Sequence, residues 1–408
     1  MHSLLSAVRR LGKSVSLADA YSGRANSFGF IRLTAALAVV LAHTAALGFG
    51  RELHNRVQVG ALAVAGFFVI SGFLITRSAR RTSTPRFLWH RALRIWPGLW
   101  VCLLFVSTIV APVLYYHQHG TLDGLLGGPA GALSYLKLNW WGGMRLDRIA
   151  DVFRGNPYWN WQGGNPMNGS LWTLAYEISC YLIVAVLAAL TILRRQLRWL
   201  PLLALVVLFG LLCWNYYQKT TGGDGAIWET RAMIGPLPLL GGLKTNYFLW
   251  YGFMFLAGGV AELYVDRLPI NDLLGVTALG VAVWFTLHGF FGPGLLAYAY
   301  VILWLAVRLP AFLHKVGQRA DYSYGVYIYS FPVQQVMAKF GVQAIGMLGF
   351  FVVSAGVSLG LAALSWHLVE SQALRLKHWT PRALREDRST GGSAVRAPEE
   401  LAPATLGS

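Results

Sequence analysis

The chain has 408 residues, of which 55% are hydrophobic and only 12% charged, about half the charged share of an ordinary soluble protein. The charges are mostly basic, 34 Lys and Arg against 17 Asp and Glu for a formal +17. So few charges exclude a disordered basic protein and a soluble nucleic-acid binder, and point to an all-α polytopic integral membrane protein whose charges sit in loops and sites.

Residues 1–27 are polar and basic and read as a cytoplasmic N-terminal tail with no cleavable signal. Ten apolar segments follow, each near the roughly 20 residues that a helical bilayer crossing takes. They are 30–49, 57–76, 95–116, 171–193, 199–217, 245–264, 273–291, 293–309, 322–341 and 346–369. The unbroken apolar runs 182–193 and 200–212 do not alternate as barrel strands would.

In the first span Arg32 and His43 are 11 residues apart. That is close to three turns, so both point to one face with roughly 16 Å of axial rise between them. An ionisable group inside a span is costly and needs a reason. Snorkelling of Arg32 and an interhelical hydrogen bond from His43 are the structural reasons, and ligand contact is the functional one. Between the second and third spans lie Arg77, Arg80, Arg81, Arg86, His90, Arg91 and Arg94. Arg91 and Arg94 are one turn apart, at a depth similar to Arg32. Topology explains the earlier arginines but Arg94 less well, and a cluster of guanidinium forks entering the bilayer suits a polyanionic ligand.

The longest outer loop, 117–170, is rich in Gly, Asn and aromatics, among them Trp140, Trp141, Trp159 and Trp161. Such residues suit either a sugar platform or an interfacial aromatic belt. His117 and His119 lack a third ligand nearby, so no metal is expected. The fourth span opens with Asn168, Ser170, Trp172 and Tyr176 and carries Glu177 about two turns in, at a depth compatible with His43. A His43–Glu177 pair would let the carboxylate hold the imidazole tautomer and stabilise its protonated form. A structural interhelical bond is the other possibility. Glu262, at the end of the sixth span, is within reach of the membrane interface. The ninth span starts at Asp321 and is dense in small and polar residues, including Ser323, Tyr327, Ser330, Gln334 and Gln335, with Pro332 expected to kink it. That composition suits a helix facing a polar cavity. Ser170, Trp172, Tyr327 and Ser330 are therefore the expected substrate contacts. The tenth span closes at Glu370, expected at the interface, and residues 371–408 read as a cytoplasmic, largely disordered tail. Cys102, Cys180 and Cys213 all fall in apolar spans and are expected to be free thiols.

With the N-terminus in the cytoplasm, 23 Lys and Arg lie on that side and 10 on the other, with Arg32 inside the first span. The split places both termini inside. No internal repeat is visible, which weakens a transporter built from inverted halves.

Several strings together resemble the membrane-bound acyltransferase 3 family: Arg32-x10-His43, Gly66-Phe-Phe-Val-Ile-Ser71-Gly-Phe-Leu-Ile75, Arg91-x-x-Arg94-Ile-x-Pro97, Ser170-Leu-Trp-Thr-Leu-x-x-Glu177, Tyr322 to Pro332, and the closing Leu-Val-Glu370. They occur in family order across residues 28–370, which the resemblance makes one acyltransferase transmembrane domain. The resemblance implies a ten-helix enzyme of the bacterial inner membrane that O-acylates an extracytoplasmic carbohydrate, with cytoplasmic acyl-CoA, by default acetyl-CoA, as donor. It maps the family's functional positions onto Arg32, His43, Arg91 and Arg94. Many members have His where this chain has Ser330, so catalysis is not assigned there. On this basis Arg32, Arg91 and Arg94 bind the CoA phosphates, and His43 acts as general base with Glu177 orienting it. A covalent acyl intermediate on His43 stays open. The competing reading is a transporter or flippase for an anionic or glycolipid substrate, which a basic cavity would also serve.

Overall fold

The computed structural model describes residues 14–23, 25–53, 58–221, 232–288 and 292–379. The expected tail beyond residue 379 and most of the N-terminal one, residues 1–13, lie outside the described residues. Among the described residues are ten helices of at least 16 residues, and each overlaps one of the apolar segments. They are α1 (Phe28–His43), α2 (Val59–Arg81), α3 (Thr84–Phe105), α4 (Trp172–Ala189) and α5 (Trp199–Thr220). The second half comprises α6 (Thr245–Leu263), α7 (Asp272–Leu287), α8 (Pro293–Arg308), α9 (Ser323–Lys339) and α10 (Gly346–Ser365). Six helical stretches are long and apolar enough to cross a membrane, and α7 and most of α8 are shorter apolar helices. The protein is thus a predominantly helical, polytopic membrane protein.

The largest boundary difference is at α3. It starts at Thr84, with Pro85 in its first turn where a missing N–H costs nothing, and runs on through a π-helical turn at Val106–Val110 to His119. Arg91 and Arg94 therefore stand within regular helix, which starts eleven residues before the expected 95. Two further π-helical turns, Thr44–Gly48 and Trp366–Glu370, extend α1 and α10.

The chain ends of these helices gather on two faces. One face, here the arginine face, is tied by Arg77 and Arg80 to Glu262, by Arg198 to Asp266, and by Trp89 to the carbonyls of Leu376 and Trp379. There β1 (Val15–Ser16) also pairs antiparallel with the later strand Pro269–Ile270. Glu262 is buried among these arginines rather than exposed at an interface. On the opposite loop face, Asn156 and Asn168 donate to the Gln335 and Ile328 carbonyls of α9, and Gln335 donates to the Pro166 carbonyl. Residues 120–171 are thereby fastened over the end of α9.

The core centres on α2. Gly72 and Gly258 allow it to touch α6 backbone to backbone: a Cβ on Gly72 would lie 1.9 Å from the Phe255 carbonyl oxygen, and one on Gly258 2.0 Å from that of Val69. Small residues at helix crossings are how helices gain close packing where lipid supplies no hydrophobic drive. The three cysteines are free; Cys102 and Cys180 are buried and Cys213 partly so.

Candidate active site

Two arginines from two helices meet one carboxylate, with a third beside them. Arg32, in the second turn of α1, places Nη2 3.1 Å from Oδ2 of Asp321, and Arg94 of α3 pairs with the same oxygen. Asp321 precedes α9, and its other oxygen accepts from the Ser323 hydroxyl at 2.6 Å and the Ser323 amide at 3.3 Å. One buried carboxylate shared by two guanidiniums leaves the group cationic. Arg91 adds to that charge: among the described residues no carboxylate lies within 4 Å of it, and its buried Nε has no hydrogen-bond partner.

These side chains line a narrow cavity of about 110 Å³, walled by Phe67, Phe68, Ile70 and Leu74 of α2 and by Leu174 of α4. Glu177 enters the same cavity from α4, where it accepts hydrogen bonds from Ser71 at 3.1 Å and from Tyr181. Lys377 lies just outside the arginine cluster. Burial, reinforced by Arg91 and Arg94, pushes its ammonium down to about 8.

His43 lines a second cavity of about 190 Å³ nearer the loop face, with Gln58, Ser170, Trp172, Tyr247, Trp250 and Tyr251. Its ring stands edge-on to Phe331, at 5.1 Å between centroids, and its buried Nδ1 has no hydrogen-bond partner. Tyr327 and Val64 line both cavities, and the Tyr327 hydroxyl is 2.7 Å from Thr173 Oγ1. The two cavities thus lie end to end across a tyrosine. A polyanion can be held in the first, and a neutral polar group can reach an imidazole in the second.

The expected site residues distribute between these spaces with three corrections. Arg32, Arg91 and Arg94 converge as expected. His43 and Glu177 do not pair: Glu177 is taken up by Ser71 and Tyr181, and the two residues open into different cavities. Trp172, Ser170 and Tyr327 face the second cavity, but Ser330 lines neither; its fully buried hydroxyl donates to the Tyr327 carbonyl at 3.4 Å. Glu370 is buried rather than interfacial, accepting from Ser365 at 2.9 Å beside Gly98. His119 pairs with Asp151 and His117 packs on Phe340. Asp321 was the main omission, although two intramembrane arginines demand a counter-ion. The α6 aromatics Tyr247, Trp250 and Tyr251 had no signal beyond composition.

The family described as "Acyltransferase domain" matches residues 26–367, which contain every residue lining the two cavities. A protein named "O-acetyl transferase" from Shigella phage Sf6 is 27% identical over 368 residues, covering 86% of this chain and 96% of the relative. "Nodulation protein 10" of Rhizobium leguminosarum bv. viciae is 28% identical over 386 residues, covering 87% and 95%. No solved structure matches. With most of its length matched, the chain belongs to the membrane-bound acyltransferase 3 family and is an acyltransferase.

Proposed function

We propose that the protein is an O-acetyltransferase of the bacterial cytoplasmic membrane that moves an acetyl group from cytoplasmic acetyl-CoA to a hydroxyl of an extracytoplasmic carbohydrate. The observation that carries this reading is the end-to-end pair of cavities, one cationic around Arg91 and one aromatic around His43, meeting at Tyr327. The positive-inside split of Lys and Arg puts the arginine face in the cytoplasm, with ten crossings and both termini inside. The name of one relative, an O-acetyl transferase, supports transfer to oxygen.

In this reading Arg32, Arg91 and Arg94 receive the donor's phosphates, and the pantetheine arm extends along α1 toward His43. The roughly 16 Å rise between Arg32 and His43 suits that extended arm. The acceptor's sugar ring lies against Trp172 and Tyr251, beside Ser170. His43 takes the proton of the acceptor hydroxyl as its oxygen attacks the thioester carbonyl; the CoA thiolate leaves and is protonated in turn. Glu177, fixed by Ser71 and Tyr181, offsets positive charge in the donor cavity. The phosphates complete that balance, since bare guanidiniums held together in a low-dielectric space repel one another.

The test uses sealed membrane vesicles containing the full chain, with radiolabelled acetyl-CoA on the arginine-face side and glycan on the other. Label in the glycan, dependent on His43, supports the reading. Glycan crossing the membrane with no thioester consumed would establish a transporter instead.

A further inference from the structure

We propose that the cavity lined by Tyr21, Asn26, Gly29, His314 and Arg319 is the subsite for the nucleotide end of acyl-CoA, with Arg319 meeting the ribose 3′-phosphate and Arg32 sharing the diphosphate with Arg91 and Arg94. The inference rests on the reading of the arginine cavity as the donor site and names where the remainder of that donor lies.

Size makes the first argument. The arginine cavity, about 110 Å³ between apolar walls, is much the smaller of two adjoining spaces and suits a slender chain better than a purine and a ribose. The bulk of such a donor must sit elsewhere. A second cavity of about 510 Å³ adjoins the first, and Arg32 and Leu74 line both. A ligand filling the two would pass Arg32 where the slender arm gives way to the wide nucleotide.

Chemistry makes the second argument. The other roomy cavity, about 640 Å³ between α1, α2, α7 and α8, is lined mostly by apolar residues, Phe30 and Tyr298 among them, with no charged side chain. It is no place for a polyanion. The 510 Å³ cavity is lined by Arg32, Arg319, His314, Gln318 and Tyr21. Arg319 is exposed at its rim, and among the described residues it makes no ion pair. Arg77 packs over the Tyr21 ring, 4.5 Å from its centroid, which brings a further guanidinium beside this cavity.

The walls are also built. Backbone pairing of Val15 with Ile270, and the Ser27 amide bonded to the Ala306 carbonyl at 2.7 Å, hold one side. The other side is locked against it at Gly29, where a Cβ would lie 2.1 Å from the Val316 carbonyl oxygen. Gly317, at φ +76, completes the tight contact with a conformation that other residues adopt only with strain. Asn26 shapes the turn, donating to the Ser22 and Gly23 carbonyls and accepting from the Phe28 amide. A preformed, cationic cleft of this kind lowers the ordering cost of binding a phosphorylated ligand.

The experiment compares three acetyl donors on the purified full chain in lipid nanodiscs: acetyl-CoA, acetyl-dephospho-CoA and S-acetylpantetheine. Arg319→Ala is expected to raise KM for acetyl-CoA about tenfold, about 1.4 kcal/mol, and to leave KM for the other two unchanged. Adenosine 3′,5′-bisphosphate should compete with acetyl-CoA in the wild type and lose potency by a similar factor in the variant. Arg319→Glu should exaggerate both effects with an unaltered melting temperature. Equal effects on acetyl-CoA and acetyl-dephospho-CoA, or none on either, would overturn the assignment while leaving the donor cavity in place. Wild-type protein that uses no acetyl-thioester would overturn this inference together with the proposed function.

Discussion

Arg32 and His43 share one face of α1, three turns apart, yet they open into different cavities. The helix therefore acts as a ruler across the protein, with an anion site at one end and an imidazole at the other. Chemistry at His43 and donor affinity at the arginines should then separate in kinetics. Replacing His43 by Ala is expected to lower kcat for acetyl transfer about a hundredfold or more, the usual contribution of a general base. The KM for acetyl-CoA should hardly move. A variant that folds in membranes and transfers at the normal rate would remove His43 from the mechanism.

Asp321 should be the residue on which the arginine cluster depends most. Two guanidiniums share it, and removing one partner of a buried ion pair leaves uncompensated charge at a cost of about 3–5 kcal/mol. Asp321→Asn is expected to lower the melting temperature in detergent. Because CoA supplies the missing negative charge, saturating CoA should stabilise the variant more than the wild type. Melting curves with and without CoA measure both terms, and equal stabilisation of the two proteins would contradict the placement of phosphates at this cluster.

Lys377 supplies a pH test outside the spanning helices. Its ammonium is held at about 8 in the fold, against the ordinary 10.5, by burial and by Arg91 and Arg94. Below about pH 8 both folded and unfolded chains carry the charge, and its destabilising effect is fully present. Between about 8 and 10.5 the unfolded chain binds more protons, so this group makes stability rise with pH. The rise should vanish in Lys377→Met, which should also be more stable than the wild type at pH 7. Denaturation midpoints of the two proteins across that range give the comparison.

The crossing of α2 and α6 makes a sharp packing prediction. An Ala at Gly72 would thrust its Cβ to 1.9 Å from the Phe255 carbonyl oxygen, and only backbone movement relieves that. Overpacking of this kind costs about 1–3 kcal/mol, at the high end where backbone must yield. Gly280→Ala in α7 meets nothing within 4 Å and should be neutral or slightly stabilising through helix propensity. The ratio of folded protein recovered for the two variants decides the point.

The positions of all ten long helices were legible because each is a long apolar run. The arginines and His43 were legible for a related reason, since charge is costly within such runs. What depth along a helix could not reveal was direction around its axis. His43 and Glu177 seemed matched in depth, but the rotation of α4 turns Glu177 toward Ser71 and Arg91's cavity. Asp321 joins residues more than 200 positions away, a contact without local pattern. Glu370 closes the tenth span but is buried, because the chain does not stop at the interface there: the π-helical turn Trp366–Glu370 continues α10, and Glu370 bonds Ser365.

The π-helical turn beyond His43 carries the last prediction. Thr44–Gly48 departs from regular α-helix directly after the imidazole, and single π-helical turns of this kind are frequent at functional sites. Gln334 of α9 braces the start of this turn: its amide nitrogen lies within hydrogen-bond reach of the Val40 carbonyl at 2.9 Å, Thr44 Oγ1 at 2.8 Å and Ser354 Oγ at 3.2 Å. Gln334 is fully buried and lines neither cavity, so it touches no substrate. It is a positioning residue, fixing the end of α1 and hence the direction of His43. Gln334→Leu keeps the bulk but removes the donor, and should lower kcat about tenfold, the scale of a small misplacement of a reacting group. KM for acetyl-CoA should stay constant because the arginine cavity is untouched. Gln334→Glu restores the shape and, if protonated in this buried site, a single donor, so it should recover part of the rate as pH falls. A purely structural role would instead reduce folded protein in both variants without altering kcat per folded molecule.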